Sequence, residues 1–361
     1  MSKTWILVLA GGGGTRFWPA STRQTPKHLL PLLPDGRTLL QATLDRAAAL
    51  TDRERIFVVT SADQADAVRE NAGDRVGEQG LIVEPVPRNT GPAIALALVA
   101  LSLRGAGAHD PVIVLPADAG IDDDEAFRAC LRTACAAAVA HKSIVTVGVP
   151  PTRPATGYGY LGLGAEEEVE GAEATVRAVL QFREKPDHRT AKEWVASGNF
   201  WWNAGIFVFR LGYLWYVMGE LREDLDLAMA TMGACLQQDD RAALAAEYSR
   251  LESISIDYAV MEKAPSVLGV GATFGWSDLG SWDAIAEVLG ALPGGVGVAA
   301  SAAADDADGN VVWAPGRKVG LLGVSGLIVA VTDDAVLVAD RERAQEVKGI
   351  AAALANSSGD A

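Results

Sequence analysis

The chain has 361 residues, 49% of them hydrophobic and 21% charged, with a formal net charge of −15. Its length suggests roughly two domains, and with no basic stripe to offset it the acidity argues against a general nucleic-acid binder. Cys130, Cys135 and Cys235 show no C-x-x-C spacing and read as reduced thiols of a cytoplasmic protein, and no apolar stretch has the ~20 residues of a membrane span or the layout of a signal peptide.

Six apolar residues, Trp5 to Ala10, run into four glycines, Gly11, Gly12, Gly13 and Gly14. A buried strand that ends this way leaves its backbone bare. Glycine removes Cβ, permits φ > 0 and lets several N–H groups converge on an anion. Arg16 follows Thr15, and Lys27 lies beyond Pro19 and Pro26, with Arg23 adding to a basic cluster in an acidic chain. This cradle reads as a polyphosphate site, since a tight turn needs one or two glycines and none of the cations. A Walker A loop fails because no Lys-Ser or Lys-Thr pair follows at its spacing. A dinucleotide fingerprint fails because its third glycine would fall on Arg16 or Phe17. The next helix start is Thr38, with Gln41 completing a capping box, which leaves about 27 residues of loop where an α/β unit uses a few.

Beyond that loop the pattern alternates. Apolar runs at 56–60, 81–84, 112–115 and 144–149 predict strands. Helical spacing predicts helices over 38–50, 61–71, 90–104 (Pro92 in its first turn) and 124–140. Apolar strands alternating with helices argue for a mostly parallel sheet covered on both faces. Ligands bind such sheets beyond the carboxyl ends of the strands, where Gly11 to Gly14, the segment 84–89 and Asp118 all fall. After Pro150 the texture changes. Residues 158–163 and 176–182 predict antiparallel strands about an acidic turn, and 206–209 a strand entered through Phe200-Trp201-Trp202-Asn203-Ala204-Gly205. Helix in several pieces is predicted over 214–250, a strand over 266–274 and a helix over 282–289. The interval 293–309, rich in Ala, Gly, Asp and Ser, predicts a linker between a first domain, 1–292, and a small β-rich domain, 310–361. In the latter, β-runs at 310–313, 319–324, 327–332 and 335–339 are spaced like a meander or a short β-helix, and 341–354 predicts a closing helix.

Taken singly, the polar residues at these positions have ordinary explanations. Asp118 and Asp278 suit turns, Arg88-Asn89-Thr90 suits an N-cap, Lys185-Pro186 a strand end and Asn203 a buried amide. Trp201, Trp202, Trp276 and Trp282 suit core and pocket wall. The histidines, at 28, 109, 141 and 188, are too scattered to suggest a metal or a base. Joint occurrence in one order carries more. The chain resembles the sugar-1-phosphate nucleotidyltransferases, and among them the mannose-1-phosphate guanylyltransferases (GDP-mannose pyrophosphorylases). Gly11 to Lys27 is similar to G-G-x-G-T-R-L-x-P…P-K, with Phe17 for Leu. Residues 84–93 (EPVPRNTGPA) resemble E-P-x-x-R-N-T-A-P-A, 115–118 (LPAD) the start of L-P-S-D-H, and 256–263 (IDYAVMEK) I-D-Y-x-V-M-E-K. The resemblance runs over essentially the whole chain. Its departures are His28 where Gln is usual, Ala119 for His and Gly91 for Ala, none of which removes a charge given to chemistry.

The resemblance implies a Rossmann-like α/β fold, a mixed and mostly parallel sheet flanked by helices, with a nucleotidyltransferase catalytic domain and a small, short-β-helix-like C-terminal one. It implies that mannose 1-phosphate attacks the α-phosphorus of GTP, giving GDP-mannose and pyrophosphate. Two polyanions must meet, so the task is neutralisation and in-line positioning, not nucleophile generation. Arg16, Lys27, Gly11 to Gly14 and Thr15 are then expected at the triphosphate. Asp118 and Asp278 are expected to hold Mg²⁺, which hard carboxylates without a nearby thiol or imidazole cluster suit better than zinc. By the same resemblance Glu84, Arg88 and Asn89 face guanine. Gly157, Tyr158, Gly159, Glu184, Lys185 and Asn203 surround the sugar phosphate, Lys185 at its phosphate and Glu184 and Asn203 at its hydroxyls. A homodimer is implied, and transferase activity alone, since the cupin-like isomerase domain of longer relatives has no room after the last helix. Other sugar-1-phosphates or nucleotides remain open. A non-catalytic sugar-nucleotide-binding regulator is the alternative of another class, and the retained Arg16, Lys27, Asp118 and Asp278 argue against it.

Overall fold

The computed structural model describes residues 3–12, 15–22, 25–33, 35–289 and 296–357. Strand β1 (Trp5–Ala10) is buried along its length and leads through short 3-10 turns at Thr15–Phe17 and Lys27–Leu29 to α1 (Leu39–Ala48). The capping box forms. Thr38 Oγ1 accepts from Gln41 N at 3.1 Å and Gln41 Oε1 from Thr38 N at 3.0 Å, worth about 1 kcal/mol. Next come β2 (Ile56–Ser61), α2 (Ala65–Ala72), β3 (Leu81–Glu84), α3 (Thr90–Leu103) and β4 (Pro111–Pro116). The short β5 (Gly120–Ile121), α4 (Asp124–His141) and β6 (Ile144–Val149) follow, then β7 (Gly159–Glu166), β8 (Val176–Glu184), α5 (His188–Ser197) and β9 (Phe200–Arg210). Helices α6 (Leu211–Leu221), α7 (Glu223–Gln237) and α8 (Arg241–Arg250) precede a π-helical turn at Asp257–Met261, β10 (Val267–Gly271), β11 (Trp276–Ser277) and α9 (Trp282–Leu289). The chain closes with β12 (Val296–Asp305), β13 (Val311–Leu322), β14 (Leu327–Val331), β15 (Val336–Asp340), a 3-10 turn at Arg341–Glu346 and α10 (Val347–Ser357).

The main sheet runs β3-β2-β1-β4-β9-β6-β10-β8-β7. Strands β1 to β4 are mutually parallel, as are β6 and β10, while β8 and β9 run against the rest. Strand order reverses on either side of β1, whose neighbours are β2 and β4. The loops after β1 and β4 therefore open a crevice between them, at the switch point where such sheets take ligands. On one face lies α3, apolar all round and buried from Gly91 to Leu101 because α6, α7 and α8 cover its far side. On the other face α1, α2 and α4 contribute to a second core.

Three features depart from the sequence reading. Helix α5 goes unpredicted although Ala191, Trp194 and Val195 fall at helical spacing and pack on the core, Asp187 caps Thr190 N at 2.9 Å and Gly198 closes it at φ +68; the period is short and only Ala191 is fully buried. The β-runs 310–313 and 319–324 are one strand, β13. The interval expected to be a linker contains β12, paired in parallel with β13 from Val296 to Asp305. Ala, Gly and Ser have low β propensity in isolation, but a neighbouring strand's unpaired backbone groups override it. The second sheet, β12-β13-β14-β15, shares a core with the loop after β1, where Val311, Trp313 and Ile328 pack with Phe17, Leu30 and Trp282. Among the described residues no helix is long and apolar enough to cross a membrane.

Candidate active site

At the end of β1, Gly11 and Gly12 are exposed, and Gly12 adopts φ +105, which L side chains rarely take. Gly13, Gly14 and Arg23 lie outside the described residues, as does the side chain of Thr15. Lys27 is buried at 7% exposure. Its ammonium lies 2.7 Å from Asp118 Oδ2 and donates to the carbonyls of Asp278 at 2.6 Å and Leu279 at 3.2 Å. An ammonium has three protons, so each has a protein partner here. Lys27 thereby ties the loop after β4 to the loop after β11. Asp278 Oδ1 accepts from Tyr158 Oη at 2.9 Å and Gly280 N at 3.1 Å. A Cβ on Gly280 would stand 2.8 Å from Asp278 Oδ2 and 3.1 Å from Arg16 Nη1, so a bare backbone is what lets those two groups approach. Gly11, Gly12, Arg16, Lys27, Asp118 and Asp278 line one cavity of about 340 Å³. His28 lines it too. Burial lowers its imidazole to about 4, so it is neutral at pH 7, with Nε2 unpartnered.

A larger cavity of about 780 Å³ shares Gly11, Gly12 and Asp118 with the first. Its far wall carries Glu84, 8% exposed at the end of β3, whose carboxyl burial pushes up to about 7 while Tyr248 Oη donates to Oε1 at 3.1 Å. Asn89 also lines this cavity, at φ +67, with its side chain capping Thr90 N at 2.8 Å. Arg88 is not brought to the lining: its guanidinium donates to the carbonyl of Ser249 at the end of α8.

The remaining candidates gather where β9 bends. Opposite Thr146 and Gly148 of β6 the register slips, so that Asn203 to Phe207 bulge and Gly205 takes φ +70. Asn203 Oδ1 accepts from Thr146 Oγ1 at 2.8 Å and Gly205 N at 3.1 Å, and Nδ2 donates to Asp257 Oδ1 at 3.3 Å. Asp257 sits in the π-turn and lines the larger cavity; burial, then Glu184, raises its carboxyl to about 6. Glu184 pairs with Lys185 Nζ at 2.9 Å and keeps Oε2 without a partner. A Cβ on Gly159 would fall on that oxygen. Desolvation pulls the Lys185 ammonium down, but Glu184, Tyr258 and Asp257 together hold it above its ordinary value. Gly157 has no neighbour where its Cβ would be. Tyr158 packs edge-on to Trp202 and Trp276 at 5.1 and 5.3 Å, and through Asp278 it joins this region to the first cavity. Asp257 and Tyr248 escaped the sequence reading. Asp257 lay inside a quoted segment, IDYAVMEK, where a buried acid after a break in helix could have flagged it. Tyr248 carried no local signal.

Residues 6–293 match the nucleotidyl transferase family, and residues 304–354 match a mannose-phosphate isomerase/GMP-like β-helix domain. The chain is 38% identical to xanthan biosynthesis protein XanB of Xanthomonas campestris over 97% of its own length and 73% of that protein's. It is 36% identical to a mannose-1-phosphate guanylyltransferase of Escherichia coli over the same shares. A crystal structure described as mannose-1-phosphate geranyltransferase from Thermus thermophilus superposes with a TM-score of 0.86 at 37% identity, covering 98% of this chain and 99% of that one. A glycine-ended first strand, two acidic loops tied by a buried lysine and near-full-length relatives at this identity agree: the chain belongs to the nucleotidyl transferase family, alongside the mannose-1-phosphate guanylyltransferases.

Proposed function

We propose that this protein transfers GMP from GTP to α-D-mannose 1-phosphate, giving GDP-mannose and pyrophosphate. The observation that carries the reading is the continuity of two cavities through Gly11, Gly12 and Asp118, one lined by cations and carboxylates and the other ending on the buried Glu84. A triphosphate lying over the exposed glycines would put its base towards Glu84 and its reacting phosphorus beside Asp118 and Asp278. Arg16 would counter the charge on departing pyrophosphate. Lys27 would keep both acidic loops in place so that little reorganisation is left for the reaction. Lys185 would meet the sugar's phosphate, with Glu184, Asn203 and Asp257 accepting or donating at its hydroxyls. The attacking phosphate oxygen is already an anion, which is why no general base is required.

The residues fit a bound Mg²⁺. Asp118 and Asp278 face one cavity and are hard oxygen donors, and among the described residues no group of three metal-ligating side chains competes. Such an ion would supply charge neutralisation between the two phosphates. The reading extends to a homodimer, for which Val336 and Val338, exposed on β15, offer apolar surface to a second copy. It extends also to a reducing, cytoplasmic setting, which the three free cysteines suit. Pyrophosphate release across several nucleoside triphosphates and sugar 1-phosphates tests the function. GTP with mannose 1-phosphate should lead the panel, and a pyrimidine nucleotide or another sugar leading it would overturn the assignment. Sedimentation at micromolar concentration tests the dimer, and a single monomer boundary would remove it.

A further inference from the structure

Glu84 is the acidic end of the base cavity, and its setting is unusual. The other charged side chains lining that cavity, Asp63 in the turn before α2, Asp118 after β4 and Asp257 in the π-turn, are all acids. Arg88, the nearby cation, is turned to the carbonyl of Ser249. Tyr248 is fully buried on α8, separated from Glu84 by 164 positions, and its hydroxyl donates to Glu84 Oε1 at 3.1 Å.

The protonation of this carboxyl decides which purine it matches. An ionised carboxylate accepts on both oxygens, whereas a carboxylic acid donates on one and accepts on the other. Guanine offers two donors along its Watson–Crick edge, N1–H and the 2-amino group. Adenine offers an acceptor at N1 beside the donor of its 6-amino group. The ionised form therefore pairs with guanine and the protonated form with adenine.

We propose that Tyr248 is a positioning residue for purine selection, its buried hydroxyl holding Glu84 as a two-sided acceptor and so favouring guanine over adenine. The inference rests on Glu84 being the base-reading residue. Burial works in the other direction, raising the carboxyl to about 7 against the Tyr248 hydrogen bond, so the two forms are poised near neutrality and one hydrogen bond tips the balance. The effect lies in the hydroxyl and not the ring.

Equilibrium titration of GTP and ATP into the unaltered protein, from pH 5.5 to 9, reads the effect without turnover. GTP should tighten as pH rises through about 7 while ATP does not. Tyr248→Phe should lower the GTP-to-ATP affinity ratio at pH 7 by roughly tenfold, the scale of one hydrogen bond to a charged group, with the ratio recovering towards pH 9. A purely structural role would lower the melting temperature and weaken both nucleotides at every pH. Glu84→Gln separates the two levels. If it erodes the preference for GTP while Tyr248→Phe follows the unaltered protein's ratio and pH profile, the role of Tyr248 is refuted alone. If Glu84→Gln leaves the ratio unchanged, base reading at Glu84 itself fails. A GTP affinity flat across the pH range in the unaltered protein would overturn the inference without any variant.

Discussion

Replacing Lys27 with Met keeps most of the side chain's apolar stem and removes an ammonium that has three partners: Asp118 Oδ2 at 2.7 Å and the carbonyls of Asp278 and Leu279 at 2.6 and 3.2 Å. The contributions are unequal. Asp118 keeps 44% of its side chain exposed, so the ion pair is screened and worth about 0.5 kcal/mol. The two carbonyls lie deeper and accept from a charged donor, at about 1.5 kcal/mol each. The loss should come to roughly 3.5 kcal/mol, a fall of several degrees in melting temperature. Because the same ammonium sets the loops bearing Asp118 and Asp278, turnover should fall further than stability suggests, by about 100-fold or more. Thermal melting and steady-state pyrophosphate release with GTP and mannose 1-phosphate measure both. An unchanged melting temperature would refute Lys27 as the tie between loops. A lowered melting temperature with undiminished kcat/KM for GTP would remove it from the active site.

Asp118→Asn should cost little stability, since its carboxylate is half exposed, yet cut turnover by about 100-fold; near-normal rates in excess magnesium would sink the metal assignment. Lys185→Ala should raise KM for mannose 1-phosphate by about tenfold while leaving that for GTP alone, and an unchanged sugar-phosphate KM would place the phosphate elsewhere. Glu84 also predicts a pH dependence of stability. Its folded carboxyl titrates near 7, above the ordinary 4.5, so the native state holds a proton that the unfolded chain has released. That contribution is full below about 4.5 and is lost as pH rises through about 7. His28, lowered to about 4, acts oppositely and loses its contribution as pH falls below 6.5. The difference between Glu84→Gln and the unaltered protein isolates the first effect. The variant should melt higher at pH 8 and not at pH 5, and equal melting at both would show that Glu84 is not raised.

What was legible in the chain was whatever a few neighbouring residues determine. WILVLA before a glycine run gives a buried strand with a bare end, and β1 has those bounds. Thr38 and Gln41 announce a helix start through two reciprocal hydrogen bonds, and both form. Strands ending at Gly11, Glu84 and Asp118 converge because parallel strands present one kind of end on one edge, which is a consequence of direction and needs no side-chain detail. Helix α5 was missed because its apolar face is short, Ala191, Trp194 and Val195 among otherwise mostly polar positions, with only Ala191 fully buried. β12 was missed because its small side chains show no preference until β13 lies beside it.

The parts of the site that escaped are those built by distant partners. Asn203 alone looked like a buried amide, and it is one. The resemblance alone put it at the sugar; what no single position shows is that a bulge and Thr146 fix its oxygen while its nitrogen reaches Asp257, 54 positions away. Tyr248 matters only because α8 packs over the end of β3. The C-terminal strands lie against the loop after β1, which holds several of the candidate triphosphate residues. The Trp313 ring lies 5.7 Å from that of Trp282, which stands 5.1 Å from Phe17, and Gln345 Oε1 lies 3.4 Å from Arg16 Nη1 across 329 positions. Phe17, Ala20, Leu30, Leu32 and Leu33 of that loop are buried in one cluster with Trp282 and residues of the second sheet, and ordering a long loop against its entropy draws on such packing. Its shape is therefore set by a sheet at the other end of the chain, and substitutions in that sheet's core should reach the nucleotide site through Trp282 and Phe17.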